Sequence, residues 1–591
     1  MEFSNTKSRH PRLRKPSNSQ RDEIGRVRRQ PPLCTTRRGF LHTNRLSGIS
    51  GAAYDAVAVV MQITHARRTC LLLVVFAVAA AVAGPRAAEF LTEGVDRART
   101  GWVRDEKLFT AANVGSTRLL WKLKLESTPR AMHNLFAPLV AEAVATANGP
   151  REIGVVAGVS DDLFGIDVAT GRQLWHRHFD STLTQPGGTN DTLCPGGQTA
   201  VPTMAQTSAG KYTIYAVSWD GRLRQVNLAD GEDVAPPEKF VPGGGKPYAL
   251  NLSDNVIYTA TAQGCGGLTN AFYSFDLATR RASAFIPAGG GLWGRRGASI
   301  DPEGRVFIGT GDGPFDPLTR RLGNGIVAVK IDANKQLQLV DYFGAPNANW
   351  LWRRDLDVNT TPVVFDYRGA KFLVGTSKEC RLWLLDRDAL GGEDHRTTLD
   401  TTPLICNDAR AFDARGVWGA LGAWQDDRGA QWVLVPFWGP VSTEFKAPIE
   451  HARPTGGGVA AFKVEQRDGR WQLAPAWLSR DMDLGEEVVI ANGVVFAYAG
   501  GEDATQVTPD KAWDEPGGPV YGGGLSSGPI RRVPNSRRAA LYALDGQTGK
   551  ELWSSGNVIE SWNHFSGLTV ANGRAYIATF DGTVYCFGVE R

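Results

Sequence analysis

The chain has 591 residues, a formal net charge of +4 at pH 7, 68 glycines and 17 tryptophans. Residues 1–83 hold 14 of the lysines and arginines against four acidic residues, so the rest of the chain is mildly acidic. This charge gives no support to nucleic-acid binding, and the length is too great for one ordinary compact core.

An apolar run over residues 70–83 follows Met61 and a basic pair. It is short for a bilayer span but suits the apolar part of a secretory signal, and it ends in small residues suited to cleavage. We therefore predict an upstream extension over 1–60, a signal peptide over 61–83 and one mature domain over 84–591. The mature protein is expected in the periplasm or secreted, with no transmembrane anchor after cleavage. An uncleaved anchor is the alternative.

One short motif occurs twice in the mature chain. Residues 165–175 (GIDVATGRQLW) recur at 543–553 (ALDGQTGKELW), with Asp, Thr-Gly and Leu-Trp at the same offsets. The apolar residues before the Asp and the Leu-Trp pair are typical of two strands, and the glycine between them accepts the positive φ of a tight turn. Asp167 and Asp545 are 378 residues apart, or six steps of 63, a spacing that suits one four-stranded propeller blade.

The strand before this turn, here named the C strand of each blade, also has degenerate copies. They lie at 226–231, 275–279, 329–332, 385–388 and 462–465. With the two full motifs and a last C strand at 583–587 they make eight. The strand that follows the turn is the D strand. The last C strand has no D strand after it, whereas residues 116–125 carry the Leu-Trp half of the motif without a C strand before it. We therefore predict an all-β, eight-bladed propeller closed by pairing of 116–125 with the C-terminal blade.

Two long loops rich in glycine and proline, 440–458 and 501–538, interrupt this pattern. They are expected to lie over one face of the ring, where propellers bind ligands, or else to be simple insertions.

The mature chain contains five cysteines and no CxxC motif, which gives no support to a zinc site or an attached c-type haem. Cys194 with Cys265 and Cys380 with Cys406 are plausible disulfide pairs, because each pair lies in loop regions of neighbouring blades. Cys586 is left over.

The repeated motif in an exported, eight-bladed chain resembles the tryptophan-docked propellers of the pyrroloquinoline quinone (PQQ) dehydrogenases, over about residues 90–591. The same fold serves non-catalytic relatives, so the resemblance implies a cofactor only where the site residues match.

Two stretches are similar to the metal and catalytic segments of that family. Residues 308–316 (IGTGDGPFD) resemble its GTGN-x-x-PWN loop, and Asp312 stands where the family's Asn binds calcium. An Asp carboxylate is also a hard oxygen ligand for calcium. Residues 350–357 (WLWRRDLD) resemble its W-D-x-D segment, which implies Asp355 as the base that takes a proton from the alcohol and Asp357 as a second metal contact.

Two further matches concern the quinone. Lys378 precedes Asp386 by eight residues, as does the family's quinone-contacting lysine, and would stabilise the negative charge that grows on the quinone oxygens. Trp293 lies close to the position where the family stacks an indole under the quinone ring.

The sequence also departs from the family. The segment that carries its calcium-binding Glu and a nearby Arg reads QGCGGLTN at 263–270, so neither residue is present, and the adjacent cysteine pair of some members is absent. A structural interpretation of each matched residue stays open: Asp312 as a turn residue, Asp355 paired with Arg353 or Arg354, Trp293 as a channel plug and Lys378 as a solvated strand end.

These observations favour two functions. The first is an exported quinoprotein that oxidises an alcohol or a sugar with PQQ and calcium or a lanthanide, and passes electrons to a separate acceptor. The alternative is a non-catalytic scaffold that binds protein in the cell envelope. A propeller glycan hydrolase would need two facing carboxylates, for which only Asp312 and Asp355 are candidates. His564, Trp562 and Trp418 also lie at blade starts, but the sequence assigns them no role.

Overall fold

The computed structural model describes residues 88–181, 183, 193–287, 290–505 and 529–589. The predicted upstream extension and signal peptide lie outside the described residues. The strands form eight large sheets, each built on four consecutive antiparallel positions, and a small separate hairpin of Phe315–Asp316 with Arg321–Leu322. The predicted all-β, eight-bladed propeller is confirmed.

The first four blades take the strands A to D directly from consecutive sequence, and in blade 4 two short segments share the position of strand A. The strands of blades 1 and 2 are Leu139–Thr146, Gly149–Gly158, Asp162–Asp167 and Arg172–His178, then Thr203–Ser208, Lys211–Val217, Arg222–Asn227 and Asp233–Lys239. The strands of blades 3 and 4 are Asn251–Ser253, Val256–Ala260, Phe272–Asp276 and Arg281–Phe285, then Gly291–Trp293 with Ser299–Ile300, Val306–Gly311, Gly325–Ile331 and Leu337–Gly344.

The last four blades include three additions from elsewhere in the chain. The strands of blades 5 and 6 are Val363–Tyr367, Ala370–Thr376, Leu382–Asp386 and Asp400–Thr401, then Gly422–Gln425, Gln431–Trp438, Gly457–Arg467 and Arg470–Leu478, with Ile449–Glu450 added outside the last. The strands of blades 7 and 8 are Gly485–Ala491, Val494–Ala499, Ala540–Asp545 and Glu551–Ser554, with Trp102–Val103 added beside the first, then Leu568–Ala571, Arg574–Ala578, Thr583–Gly588 and Arg118–Lys124.

The N-terminal strand Arg118–Lys124 is the D strand of blade 8. It runs antiparallel to Thr583–Gly588, and Trp121 lies opposite Cys586. The first and last strands of the propeller therefore share one sheet, so neither end of the ring is left as an open edge. Each of the eight C strands expected from the sequence is present.

Indole rings join successive blades. Trp121 donates from Nε1 to the carbonyl of Val168, 3.0 Å away, and its ring covers Gly171 in the turn of the next blade. A Cβ on Gly171 would lie 2.5 Å from the indole, and the residue has a φ of +69°, so only glycine suits the position. The same contacts recur between other blades, as Trp175 over Gly231 and Trp477 over Gly549.

All strands B end at the end of the ring where all strands A begin, because the two are antiparallel neighbours. We call this end the top face. It collects the segments that connect strand B to strand C and those that connect strand D to the strand A of the next blade. Side chains from neighbouring blades can therefore meet there, close to the axis.

Helices are short and few within the described residues. The α-helices are Ala348–Trp352 and Pro529–Asn535, and the 3-10 helices are Val114–Ser116, Cys265–Gly267, Pro317–Thr319 and Gly392–Asp394. Neither α-helix has the length and hydropathy needed to cross a bilayer.

Both expected disulfides form, Cys194–Cys265 and Cys380–Cys406, and Cys586 is a buried free thiol. The loop 440–458 reaches the outer edge of blade 6, where Ile449–Glu450 pairs with strand D. Only the two ends of the loop 501–538 lie within the described residues.

Candidate functional site

Asp312, Asp355 and Asp357 meet on the top face of blades 4 and 5. Asp312 directly follows strand B of blade 4, and the other two precede strand A of blade 5. One carboxylate oxygen from each can be chosen so that all three atoms lie within 4.8 Å of one another. The ring thus brings Asp312 to Asp355 and Asp357, which lie 43 and 45 positions further along the sequence, as the quinone-site hypothesis requires.

Trp293 hydrogen-bonds one carboxylate of this cluster. It ends the first segment of strand A in blade 4, and its Nε1 donates to Oδ2 of Asp312 at 3.1 Å. The backbone N–H of Asp312 donates to Oδ1 of Asp357 at 3.0 Å. Asp312 and Asp355 both have a φ of about 55°, the left-handed region in which a non-glycine residue is uncommon. Such conformations recur where a site fixes the direction of a side chain.

Lys378 lies within the cluster rather than at a solvated strand end. Its side chain is 4% exposed, and Nζ is 2.8 Å from Oδ1 of Asp355 and 2.9 Å from Oδ2 of Asp357. Nζ also donates to the backbone carbonyl of Asp355 at 3.0 Å. Asp355 therefore pairs with Lys378, while the guanidinium of Arg354 lies 4.4 Å above the ring of Trp350.

The three carboxyl groups have different affinities for a proton. Burial and the charge of Asp357 raise the pKa of Asp312 to about 7. Burial also raises the pKa of Asp355 well above its usual value, and a hydrogen bond to Asp357 helps to keep the proton on Asp355. Burial acts in the same direction on Asp357, but the charge of Lys378 together with hydrogen bonds from Asp355, Lys378 and the backbone of Asp312 outweighs it and lowers that pKa. The three carboxyl groups therefore titrate as one coupled set around the charge of Lys378.

Two glycines leave space for these side chains, because a Cβ at either position would collide with them. A Cβ on Gly311 would lie 2.7 Å from Nε1 of Trp293 and 2.8 Å from Cβ of Asp357. A Cβ on Gly291 would lie 2.9 Å from Oδ2 of Asp312. Both glycines are therefore required by space, and a side chain at either position would displace a cluster residue.

A disulfide holds the segment that carries Lys378. Cys380, two residues further on, is joined to Cys406, and Nδ2 of Asn407 donates to the carbonyl of Lys378 at 3.1 Å. The lysine and the residues that follow it are thus attached to the connection that leads towards blade 6.

Comparisons with known proteins agree with this architecture. Quinohemoprotein alcohol dehydrogenase from Comamonas testosteroni superposes with a TM-score of 0.52 at 17% identity, over 85% of this chain and 81% of that one. Quinohemoprotein alcohol dehydrogenase ADHIIG from Pseudomonas putida HK5 gives 0.51 at 13% identity, over 85% and 80%. A europium-containing methanol dehydrogenase gives 0.52 at 13% identity, over 86% and 99%. This chain has the fold of the quinoprotein alcohol dehydrogenases.

The likeness is one of fold, because the identities are low. We find no matching protein-family model and no match among curated sequences. The residues of the site therefore have to be judged by their own geometry.

The segment in which the quinoprotein pattern has its acidic residue is held here by a disulfide and a side-chain hydrogen bond. Within 263–270, Cys265 forms the disulfide with Cys194, and the backbone N–H of Gly264 donates to Oδ1 of Asn270 at 2.9 Å. This segment offers no carboxylate, and within the part of the chain that the structure describes the cluster consists of the three Asp residues.

Sequence reasoning missed the aromatic side of the site. Nζ of Lys378 lies 4.7 Å from the ring centre of Phe412 and 4.8 Å from that of Trp418. Trp418 stacks on Trp438, which stacks on Phe565, with centroid separations of 5.2 and 5.6 Å. Trp418 was noted at the start of a blade, but a lone tryptophan in a connection carries no signal of its stacking partners.

Proposed function

We propose that this protein is an exported quinoprotein that oxidises an alcohol or a sugar with PQQ and a bound calcium or lanthanide ion, and that passes the electrons to a separate acceptor. Periplasmic or secreted localisation is part of the proposal. The observation that carries it is the cluster of Asp312, Asp355 and Asp357 around a single lysine.

The chemistry of the donor set suits a hard cation. Calcium and the lanthanides prefer several carboxylate oxygens, and three such groups lie within reach of one ion here. Burial is the main cause of the raised pKa values of Asp312 and Asp355, and the charge of Asp357 adds to it. A di- or trivalent cation would stabilise the ionised carboxylates, with Asp312 and Asp357 as its ligands.

The residues around the cluster fit a flat, electron-accepting cofactor. PQQ, when bound, supplies the two-electron acceptor that protein side chains lack. Trp293 offers an indole face beside the carboxylates, and Nζ of Lys378 lies 5.6 Å from its ring centre. Lys378 already donates three hydrogen bonds to Asp355 and Asp357, so it would give up one of them to donate to a quinone oxygen, and Trp293 would support the ring plane.

Asp355 is the candidate base. Its side chain is 19% exposed, so it can meet a ligand, whereas Asp357 is buried. Burial raises the pKa of Asp355, and a carboxylate with a raised pKa is a stronger base once it is ionised. A cation held by its neighbours would favour that ionised form. Asp355 would then take the hydroxyl proton while Lys378 keeps its carboxylate in place.

A non-catalytic scaffold is the second candidate, and one contact favours it. The ammonium of Lys378 already neutralises Asp357 and contacts Asp355 without any added ion. A buried ion pair of this kind can serve to fix a connection between two blades and have no further role.

A binding experiment separates the two. Mature protein is titrated with calcium or europium in the presence and absence of PQQ, and the absorption of bound quinone, europium luminescence and unfolding temperature are recorded. Asp312→Asn and Lys378→Ala should weaken binding. Asp468→Asn is the matched control, because Asp468 has a similar φ of 50° but lies in an exposed hairpin turn. If neither metal gives a bound-quinone signal, the quinoprotein proposal fails and the scaffold is favoured.

A further inference from the structure

A second polar cluster, formed by Glu502, His564 and Arg532, lies on the top face and has no part in the proposed chemistry. Nδ1 of His564 hydrogen-bonds Oε2 of Glu502, and Nη2 of Arg532 donates to Oε1 of the same carboxylate at 2.9 Å. Arg532 is held in turn by a 2.7 Å hydrogen bond from Nε to the carbonyl of Asp503. The side chain of Glu502 is fully buried, whereas that of His564 remains 9% exposed.

The hydrogen bonds define the state of the imidazole. Burial acts to raise the pKa of Glu502, but His564 and Arg532 outweigh it and lower that pKa, so Glu502 is ionised. A carboxylate only accepts, so Nδ1 of His564 carries the proton. Burial lowers the pKa of His564, against the pull of Glu502 and with the help of Arg532 and Lys246. The imidazole is therefore neutral near pH 7, and Nε2 bears a lone pair.

Nε2 of His564 is available to a ligand. No group within the described residues hydrogen-bonds it. The ring of His133 meets the imidazole edge-on at 4.8 Å, and the ring of Phe565 does so at 4.7 Å. The imidazole is thus fixed by Glu502 on one side and by two rings, while its accepting nitrogen stays open.

This cluster occupies the same positions in its blades as the acidic cluster does. Glu502 follows strand B of blade 7, as Asp312 follows strand B of blade 4. His564 precedes strand A of blade 8, as Asp355 precedes strand A of blade 5. Both pairs therefore border the same end of the ring, three blades apart.

Direct contacts connect the two clusters. From Lys378 the stacked rings of Trp418, Trp438 and Phe565 form a continuous row that ends at His564, which Phe565 meets edge-on. Burial is the main influence on the pKa of Asp312 and of His564, and the charge of Lys246 lowers both. Both clusters thus border one region of the top face.

We infer that His564 is a second hydroxyl-accepting position of this face, and that the ligand is therefore a sugar or a polyol rather than a simple alcohol. One hydroxyl group would meet Asp355, and another would donate a hydrogen bond to Nε2 of His564. A ligand with a single hydroxyl can satisfy only one of the two acceptors. An acceptor that the bound ligand shields from water but does not hydrogen-bond disfavours the smaller ligand. This inference rests on the proposed function for the role of Asp355.

The first test observes the imidazole of His564 directly by NMR and does not depend on PQQ. Mature protein with 15N-labelled histidine is titrated by NMR with glucose, sorbitol and glycerol, and with ethanol for comparison. The His564 signal, assigned from its loss in His564→Phe, should show a proton on Nδ1 and should shift with at least one polyhydroxyl compound but not with ethanol. A proton on Nε2, or no shift with any of the three, overturns the inference.

The second test compares variants in the PQQ- and metal-loaded protein. His564→Phe should raise the KM for the best polyhydroxyl substrate about tenfold, the effect of one lost hydrogen bond to a fixed acceptor, and leave the KM for ethanol within about twofold. His564→Gln should restore part of the loss, and Glu502→Gln, which keeps the shape of the buried side chain, should give an intermediate KM. His451→Phe, at an exposed histidine on the loop beside blade 6, is the control.

The outcomes separate the inference from the proposed function. If no quinone binds but a polyhydroxyl compound shifts His564, the oxidation proposal fails and the binding position stands. If the loaded protein oxidises alcohols and His564→Phe changes the KM for simple and polyhydroxyl substrates alike, the inference fails and the oxidation proposal stands.

Discussion

Nζ of Lys378 lies 2.9 Å from Oδ2 of Asp357, and both side chains are almost fully buried. Lys378 follows strand B of blade 5 and Asp357 precedes strand A of the same blade, so the pair joins two connections of the top face. The ammonium contacts two of the three carboxylates, and any added metal ion would have to share Asp357 with it. A metal ion bound there would therefore compete with the ammonium.

Replacement of Lys378 tests this competition. Lys378→Met leaves the buried carboxylate of Asp357 without its ammonium partner, and the loss of one half of a buried pair costs about 3–5 kcal/mol. For a domain of this size that loss lowers the unfolding temperature by about 3–5 °C. Calcium or europium should restore more stability to the variant than to the original protein, because the ion takes over the charge of the ammonium.

Lys463→Met is the control for this experiment. Nζ of Lys463 lies 4.8 Å from the ring of Trp432. Its loss therefore removes a lysine–indole contact without taking an ion-pair partner from a buried carboxylate. Scanning calorimetry with and without metal gives the comparison. Equal unfolding temperatures for the two variants, with no response to metal, would show that Lys378 does not balance the cluster.

The pH dependence of metal binding should reflect Asp312. Because burial and Asp357 raise its pKa to about 7, protons compete with the cation below that pH. Europium affinity should therefore fall by up to about tenfold per pH unit between pH 7 and 5. Asp312→Asn should weaken binding at pH 8 and flatten this dependence. A profile of the variant that is as steep as that of the original protein would assign the titration to another group.

The same shift has a consequence for the stability of the metal-free protein. A carboxyl group whose pKa is higher in the folded than in the unfolded state stabilises the fold less as pH rises from about 4 to 7. Asp312→Asn cannot ionise, so its unfolding temperature relative to the original protein should rise across this range, by about 1–3 °C. Thermal unfolding at pH 5 and 8 checks the sign, and a relative fall would contradict it.

A small residue change at Gly311 should damage the site without unfolding the ring. The added Cβ in Gly311→Ala meets both Trp293 and Asp357 at less than 3 Å. These groups must move, and the three carboxylates would no longer converge. We expect metal affinity to fall at least about tenfold. Gly115→Ala, whose added Cβ would have its nearest contact at 3.6 Å, should leave it unchanged. Titration of both variants with europium gives the answer.

The sequence was sufficient for the fold because each blade repeats one local signal. The turn after Asp167 needs an Asp acceptor and a glycine, and the structure shows Oδ1 of Asp167 accepting from the backbone of Ala169 and Thr170. Such local requirements produce a recognisable residue pattern in the sequence of every repeat. The same reasoning gave both disulfides, since their cysteines lie in connections that the ring brings together.

The contacts within the site were harder to predict from the sequence. Motif comparison named Asp312 and Asp355, but the pairing of Asp355 with Lys378 depends on the path of the connection between them, and Arg353 and Arg354 were equally close in sequence. The bond between His564 and Glu502 spans 62 residues and crosses two blades. No periodicity records a pairing of that kind, because it depends on how two loops meet at the axis.

The closure of the ring offers a last test, at Trp121 of the N-terminal strand. Its indole covers Gly171 and hydrogen-bonds the carbonyl of Val168, so it attaches the D strand of blade 8 to blade 1. Trp121→Ala should cost about 2–4 kcal/mol, less than a fully buried tryptophan because the ring is half-buried. Trp175→Ala removes the equivalent half-buried indole between blades 1 and 2 and should cost a similar amount.

The two variants should differ in where the structure opens. In Trp121→Ala, native-state hydrogen exchange should speed up in the amides that pair Arg118–Lys124 with Thr583–Gly588, because the closing strand loses its attachment to the next blade. In Trp175→Ala those amides should keep their protection, and the faster exchange should lie in Arg172–His178 instead. Equal protection of the closing strand in both variants would mean that pairing alone, without the indole contact, keeps the ring shut.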